Sequence, residues 1–365
     1  MNTHQVPPPH SLLAELTHRC PLQCPYCYNP LELTKKSGEL ATDDWKRVLS
    51  EAAEIGVIHA HFSGGEPTSR SDITDLVAHA RSAGLYTNLI TSGVLMNEGR
   101  LDALLDAGLD HLQLSIQDCD SESADRFGGY KGGHDKKMAL AHEVRARGAA
   151  LTLNAVIHRQ NAENVERIIE LAVELDAGRL EVAHTQYYGW GLKNRAALIP
   201  TRDQLDRSTE LVAQARERLK GQLVIDYVVP DYYARFPKPC MNGWGRVGIC
   251  ISPSGKALPC HAAETITNMQ FDNVRDMSLI DIWQNSKAFQ AYRGLDWMEE
   301  PCRSCDRREI DWGGCRCQAF AITGRAEATD PACEKSPMHD NLSEIAEAES
   351  AQAPPPFEYR KIGTY

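Results

Sequence analysis

The chain has 365 residues, 42% hydrophobic and 24% charged, enough for one large domain and a smaller one with ordinary buried cores. Its formal net charge is −11 with no basic run, which argues against nucleic acid or an anionic membrane surface as main partner. It has no run of about 18 apolar residues and no signal-peptide core, so the expected compartment is the cytoplasm. Twelve cysteines in a reducing compartment point to metal ligation more than to disulfides.

In chain order, residues 12–16 are apolar-leaning and lead into Cys20, Cys24 and Cys27. Thr42 is placed to cap a helix reaching about Ile55 and ended by Gly56. Residues 57–62 read as a short buried strand that runs into Gly64-Gly65-Glu66-Pro67. Ile73, Leu76, Val77 and Ala80 recur at helical spacing up to Gly84. Residues 86–91 are strand-like, Leu101, Leu104 and Leu105 mark a helix, and residues 112–116 form another strand. A glycine-rich loop (Gly128, Gly129, Gly132, Gly133) precedes a helix to about Arg147. Strand 151–157, helix 165–175, strand 180–187 and a long helix 201–219 follow.

Six successive β-then-α units imply a parallel sheet with right-handed crossovers. Six are too few for a closed eightfold barrel, so the expected α/β fold is a partial, open (β/α)6 barrel over residues 1–230. Chemistry in such folds sits at the C-terminal strand ends. The cysteines, the Gly64–Pro67 turn and the segment Ser115-Ile116-Gln117 all fall there. From about Lys238 the βα repeat stops, and eight of the twelve cysteines lie between Cys240 and Cys333. Residues 231–340 therefore read as a second domain folded around metal as much as around apolar side chains. Residues 341–365, Ala/Glu/Ser-rich and then triple proline, read as a mobile tail, with Phe357, Tyr359 and Tyr365 able to dock.

Cys20, Cys24 and Cys27 stand in CxxxCxxC spacing, so close that they can wrap one metal centre but cannot pair off as disulfides. A cubane iron–sulfur cluster normally takes four cysteines, so three leave one iron with an open coordination position. A zinc site, or a chance cluster of buried cysteines, is the competing reading of the same spacing. Pro21, Pro25 and Tyr26 suit a shaped cluster pocket, and CxxxCxxC is poor zinc-finger spacing. Glycines at Gly64 and Gly65 allow a ligand to approach the main chain, and the Glu66 carboxylate can accept hydrogen bonds from an ammonium. An ordinary βα turn is the plain alternative for that motif.

CxxxCxxC with an aromatic before its last cysteine resembles the cluster loop of radical S-adenosylmethionine (SAM) enzymes, which share the partial barrel. The resemblance implies a [4Fe–4S] cluster whose open iron chelates SAM, and reductive cleavage of SAM to methionine and a 5′-deoxyadenosyl radical. It also implies that Gly64, Gly65, Glu66 and Pro67 hold the SAM amino group. Ser115 and Gln117 would contact ribose and methionyl carboxylate, while Asn154 and Val156 would line ribose and adenine. For each of these four, a satisfied turn or core residue is the alternative. Tyr26 would pack beside the adenine, or serve as an aromatic plug.

The C-terminal cysteines resemble the SPASM extension of peptide-modifying radical SAM enzymes, which binds two auxiliary iron–sulfur clusters. The matching residues are Cys240, Gly255-x4-Cys260, Cys302-x2-Cys305-x5-Asp311-x3-Cys315 and Cys333. Asp311 stands where the pattern has a cysteine. A carboxylate can ligate iron, which gives a second auxiliary set of Cys302, Cys305, Asp311 and Cys333. The alternative is that Asp311 is a solvated loop residue. Cys240, Cys260 and Cys315 fit the first auxiliary set. Cys317 and Cys250 compete for its fourth place, with Cys317 preferred because Cys250 lies in an apolar, strand-like run. Cys119 is most simply structural.

Within this group the chain is similar to the peptide cyclases of pyrroloquinoline quinone biosynthesis, through Gln186-Tyr187-Tyr188-Gly189-Trp190-Gly191, Met241-Asn242-Gly243-Trp244 and Leu258-Pro259-Cys260-His261. That resemblance implies a Glu–Tyr carbon–carbon crosslink in the precursor peptide PqqA, begun by hydrogen abstraction at the glutamate γ-carbon. It further implies the peptide chaperone PqqD, a flavodoxin-like reductant, and auxiliary clusters as electron acceptors. Another SPASM peptide maturase, forming a thioether or oxidising a side chain, is the alternative within the enzyme class. A zinc-stabilised binding protein is the alternative outside it. The sequence identifies no general base.

Overall fold

The computed structural model describes residues 6–360, so Tyr365 lies outside the described residues. Seven strands run in parallel and in sequence order: β1 (Ser11–Thr17), β2 (His59–Gly64), β3 (Tyr86–Thr91), β4 (His111–Ile116), β5 (Ala150–Ile157), β6 (Arg179–His184) and β7 (Val224–Val228). Strands added one after another in one direction, with right-handed crossovers, put their helices on one face. The sheet curls with that face outward, giving the open partial barrel. The run of strands in sequence order is one longer than expected, because β7 follows the long helix Arg202–Arg218 and pairs with β6. On the other side, β8 (Gly248–Ile251) pairs in parallel with β1, and β9 (Ala257–Leu258) pairs antiparallel with β8. The cysteine-rich region thus continues the barrel's own sheet.

Several local expectations are corrected. Ala41, not Thr42, is the N-cap of helix Thr42–Glu54, and the Thr42 hydroxyl instead donates to Asp72 Oδ2 at 2.6 Å. The glycine-rich loop is short, residues 129–132, between helix Ser121–Gly128, started by Asp120 and ended at left-handed Gly129, and helix Gly133–Ala146, which Gly132 opens. Strand β6 stops at His184 rather than at Tyr187. The chain then leaves the sheet for a short helix, Gly189–Lys193. Thr201 caps the helix Arg202–Arg218 in a reciprocal box with Gln204, as its spacing suggests.

Two apolar layers lie between sheet and helices. One joins Leu12, Phe62 and Trp45 to Ile251, Leu279, Trp283 and Phe289, so the cysteine-rich region shares a core with the first half of the barrel. The other packs β4–β7 against helices Gly133–Ala146, Val165–Glu174 and Arg202–Arg218. Residues 341–350, expected to begin a mobile tail, belong to helix His339–Ser350. It buries Leu342 and Ala346 against Tyr187, Leu198 and Tyr232. Residues 351–360 then run without regular structure over the barrel mouth, where Phe357 and Tyr359 dock. Among the described residues, no helix is long and apolar enough to cross a membrane.

Candidate active site

The chain turns out of β1 into the cysteine loop, and β2 ends beside it. Gly64 sits at φ 123°, and a Cβ there would overlap the Thr17 carbonyl. A Cβ on Gly65 would overlap the backbone of His18 and Arg19. The two glycines therefore let the end of β2 lie flat on the loop, where Gly65 N donates to Thr17 O and Glu66 N to Arg19 O. Cys20, Cys24 and Cys27, all half-buried, line one cavity of about 420 Å³ at the C-terminal mouth of the barrel. Tyr26, Gly64, Gly65, Ser115, Gln117, Asn154 and Val156 line it too. Its size suits a small-molecule site, for which about 300–1,000 Å³ is usual.

Glu66 and Pro67 do not line the cavity. Glu66 is fully buried and turned inward, where both oxygens are already engaged. Oε1 accepts from Thr68 N (3.1 Å), Thr68 Oγ1 (2.6 Å) and Thr91 Oγ1 (2.7 Å), and Oε2 accepts from Ser92 N (2.7 Å) and Ser92 Oγ. Its carboxylate ties the end of β2 to the end of β3.

The register Ser115↔Asn154↔Glu181 carries one row of polar side chains across β4, β5 and β6. Asn154 Nδ2 donates to Glu181 Oε2 at 2.7 Å, and Gln113 Nε2 reaches the same oxygen at 3.3 Å. Burial raises the Glu181 carboxyl above its ordinary range. Lys137 is fully buried behind this row, donating to Ser115 O at 3.0 Å and to Gln117 Oε1. Burial lowers its ammonium to about 8. Sequence reasoning passed over both residues. Their signals were present: Lys137 lies on the buried stripe with Leu140, Ala141 and Val144, and Glu181 alternates with buried Leu180 and Val182.

Burial pushes the Cys20 thiol up to about 12 and the Cys27 thiol up to about 11, and it raises Cys24 as well. Three thiolates here need positive charge beside them, which iron supplies. The donor set fits a cluster held by three cysteines next to a cavity for a second ligand. On the far wall, Glu15 of β1 accepts from Tyr28 Oη at 2.8 Å, and the Tyr28 ring stands edge-on to His261 at 4.5 Å. Burial lifts the Glu15 carboxyl to about 7. His261 is the neighbour of Cys260, so this wall separates the cavity from a second group of cysteines.

In that group, Cys240 and Cys317 each lie beside both Cys260 and Cys315. Neighbouring Cys240, and to a lesser extent Cys317, lower the Cys260 and Cys315 thiols well below the usual range. Cys315 caps helix Arg316–Thr323, which puts Cys317 in its first turn. Cys250, on β8, is buried in the same apolar cluster, where burial and then Glu15 raise its thiol. Tyr188 Oη lies 2.9 Å from Cys315 Sγ. A third group, Cys302, Cys305, Asp311 and Cys333, lines a narrow cavity in which Lys335 Nζ is 3.1 Å from Cys305 Sγ. Asp311 is buried. Its Oδ1 accepts from Gly313 N at 3.2 Å, and its Oδ2 lies 3.4 Å from Arg307 Nε. Cys119 stands apart, its thiol 3.5 Å from Asp118 Oδ1. Among the described residues, no three His, Cys, Asp or Glu side chains are arranged as a site for a single metal ion.

Comparison with known proteins agrees with this grouping. Residues 14–172 match the Radical SAM superfamily, and residues 240–306 match the SPASM iron–sulfur cluster-binding domain. The chain is 60% identical over 362 residues to the PqqA peptide cyclase of Methylobacterium nodulans, covering 99% of this chain and 96% of that one. It is 61% identical over 355 residues to the PqqA peptide cyclase of Rhodopseudomonas palustris, covering 97% and 94%. Streptococcus suis SuiB bound to S-adenosylmethionine shares the fold, with a TM-score of 0.75 at 22% identity over 90% of this chain and 78% of that one. So does anSMEcpe with bound AdoMet, with a TM-score of 0.63 at 18% identity over 94% and 93%. The chain therefore belongs to the radical SAM enzymes that carry a SPASM iron–sulfur domain, in the family of the PqqA peptide cyclases.

Proposed function

We propose that this enzyme joins a glutamate to a tyrosine within the precursor peptide PqqA by a carbon–carbon bond, in pyrroloquinoline quinone biosynthesis. The observation that carries the reading is identity of about 60% with PqqA peptide cyclases along essentially the whole chain. When bound, the clusters supply an electron to SAM, giving methionine and the 5′-deoxyadenosyl radical, and an acceptor for the electron that the crosslinked peptide gives up. In the peptide, a C–H bond at the glutamate γ-carbon would break, its hydrogen atom passing to the 5′-deoxyadenosyl radical to give 5′-deoxyadenosine, and the carbon radical left would form a C–C bond to the tyrosine ring. That ring carbon then loses one proton and one electron.

The chain's own residues bind and orient. In this reading Cys20, Cys24 and Cys27 hold the catalytic cluster, while the carbonyls around Gly64 and Gly65 receive the SAM amino group, with Glu66 bracing them. Ser115, Gln117 and Asn154 face ribose and carboxylate, and Tyr26 and Val156 face the adenine. Cys240, Cys260, Cys315 and Cys317 hold one auxiliary cluster, and Cys302, Cys305, Asp311 and Cys333 the other. PqqD presents the peptide and a flavodoxin-like protein delivers electrons, in the cytoplasm. The test is anaerobic incubation with SAM, a reductant, PqqA and PqqD, followed by tandem mass spectrometry. The expected product is PqqA lighter by two hydrogens, with fragments that stay linked between glutamate and tyrosine. Unchanged PqqA under conditions that cleave SAM would contradict the reading.

A further inference from the structure

The last described residues return to the cysteine loop. Helix His339–Ser350 is held to the barrel by the Arg195–Glu349 ion pair at 2.7 Å. Beyond it, the Asn194 side chain reads the backbone of Glu358 in both directions, donating to Glu358 O at 3.0 Å and accepting from Glu358 N at 2.8 Å. The same amide donates to Pro25 O at 3.1 Å, inside the cysteine loop. Phe357 packs on Phe127 and His158, and Tyr359 Oη donates to Arg126 O at 2.9 Å. These contacts deliver Arg360, itself buried, to the loop. Its Nη2 donates to Leu22 O at 2.6 Å and to Cys20 O at 3.4 Å, and Gln23 Nε2 donates to Arg360 O.

Arg360 also lines the cavity with the three cysteines. Among the described residues it is the one arginine or lysine that does so. A guanidinium that grips two carbonyls of a ligand loop fixes the loop's shape.

We propose that the C-terminal strap is part of the SAM site, with Arg360 as a positioning residue that clamps the cysteine loop at the wall of the cavity. The proposal rests on the reading that Cys20, Cys24 and Cys27 hold the catalytic cluster.

The test uses the anaerobically reconstituted full-length enzyme and three variants: Arg360→Gln, Arg360→Lys and a deletion of residues 352–365. SAM binding is read by titrating the change that SAM makes in the electron paramagnetic resonance spectrum of the reduced enzyme, with iron content and melting temperature measured alongside. Arg360→Gln is expected to weaken SAM binding by about tenfold or more, equivalent to about 1.4 kcal/mol. Arg360→Lys should recover much of that loss, and the deletion should match or exceed it, with auxiliary-cluster iron retained. Loss of the catalytic cluster's iron alone in Arg360→Gln would also support the clamp. Parent-like SAM affinity and spectrum in both Arg360→Gln and the deletion would overturn the proposal. So would a general loss of iron and melting temperature that Arg360→Lys does not repair. If instead the underlying reading of the cysteines fails, the parent enzyme itself will show no SAM-dependent change.

Discussion

At the residue scale, Asp311 is the informative departure. It is buried, it shares a cavity with Cys302, Cys305 and Cys333, and its neighbours Gly313 N and Arg307 occupy only part of its accepting capacity. A carboxylate is a harder, more easily displaced ligand than a thiolate. Asp311→Cys is expected to retain the cluster's iron with an altered electron paramagnetic resonance signal and reduced crosslinking. Asp311→Ala should lose roughly one cluster's worth of iron, or leave that cluster with an exchangeable position. Parent spectra and activity in both variants would make Asp311 a loop carboxylate. The cysteines were legible because their spacing is itself the signal, and Tyr26, Ser115 and Asn154 because they fall at strand ends or in the cysteine loop. Glu66 shows the limit: its motif was plain, but its inward turn depends on Thr68, Thr91 and Ser92, two of them on another strand end. Arg360, by contrast, looks like an ordinary surface charge until the fold buries it.

At the element scale, the segment 186–194 serves three sites at once, which its sequence did not disclose. Tyr188 meets Cys315, Gly191 N donates to Cys27 O at 3.1 Å, and Asn194 holds both Pro25 and the C-terminal strap. Gly189 lies at φ 51°, and a Cβ there would overlap the Asn29 carbonyl. Gly189→Ala must adopt a left-handed backbone costing about 1–2 kcal/mol and push the cysteine loop away as well. The expected outcome is a lower melting temperature and loss of the catalytic cluster's iron, with the auxiliary iron kept. Iron analysis and spectroscopy of the purified variant check this, and a parent-like iron count would contradict it. The strands β1–β6 were readable from apolar runs between glycines. β7 was not, because residues 224–228 are only half-buried at the sheet's edge.

At the scale of the whole molecule, one continuous sheet places β1, which leads into Cys20, Cys24 and Cys27, between β2 and β8 of the cysteine-rich region. Metal sites and barrel are therefore expected to report on one another's stability. Burial holds His158 at about 3 and His184 at about 4, both neutral in the folded protein at neutral pH. The unfolded chain binds a proton at each below about 6.5, so stability is lost as pH falls through that value. Each residue contributes a loss of about 2 kcal/mol by pH 5. Urea unfolding under anaerobic conditions at pH 7 and pH 5 should show this fall, and His158→Gln should remove part of it. An unchanged pH dependence in that variant would remove His158 from the explanation.

The most direct test of the central claim follows a hydrogen atom from peptide to SAM. PqqA carrying deuterium at the glutamate γ-carbon, or separately on the tyrosine ring, is incubated anaerobically with enzyme, SAM, reductant and PqqD, and the 5′-deoxyadenosine formed is analysed by mass spectrometry. The account predicts deuterium in 5′-deoxyadenosine from the labelled glutamate and none from the labelled ring, alongside crosslinked peptide. Crosslinked peptide with deuterium-free 5′-deoxyadenosine from the labelled glutamate, or transfer from the tyrosine ring, would contradict it.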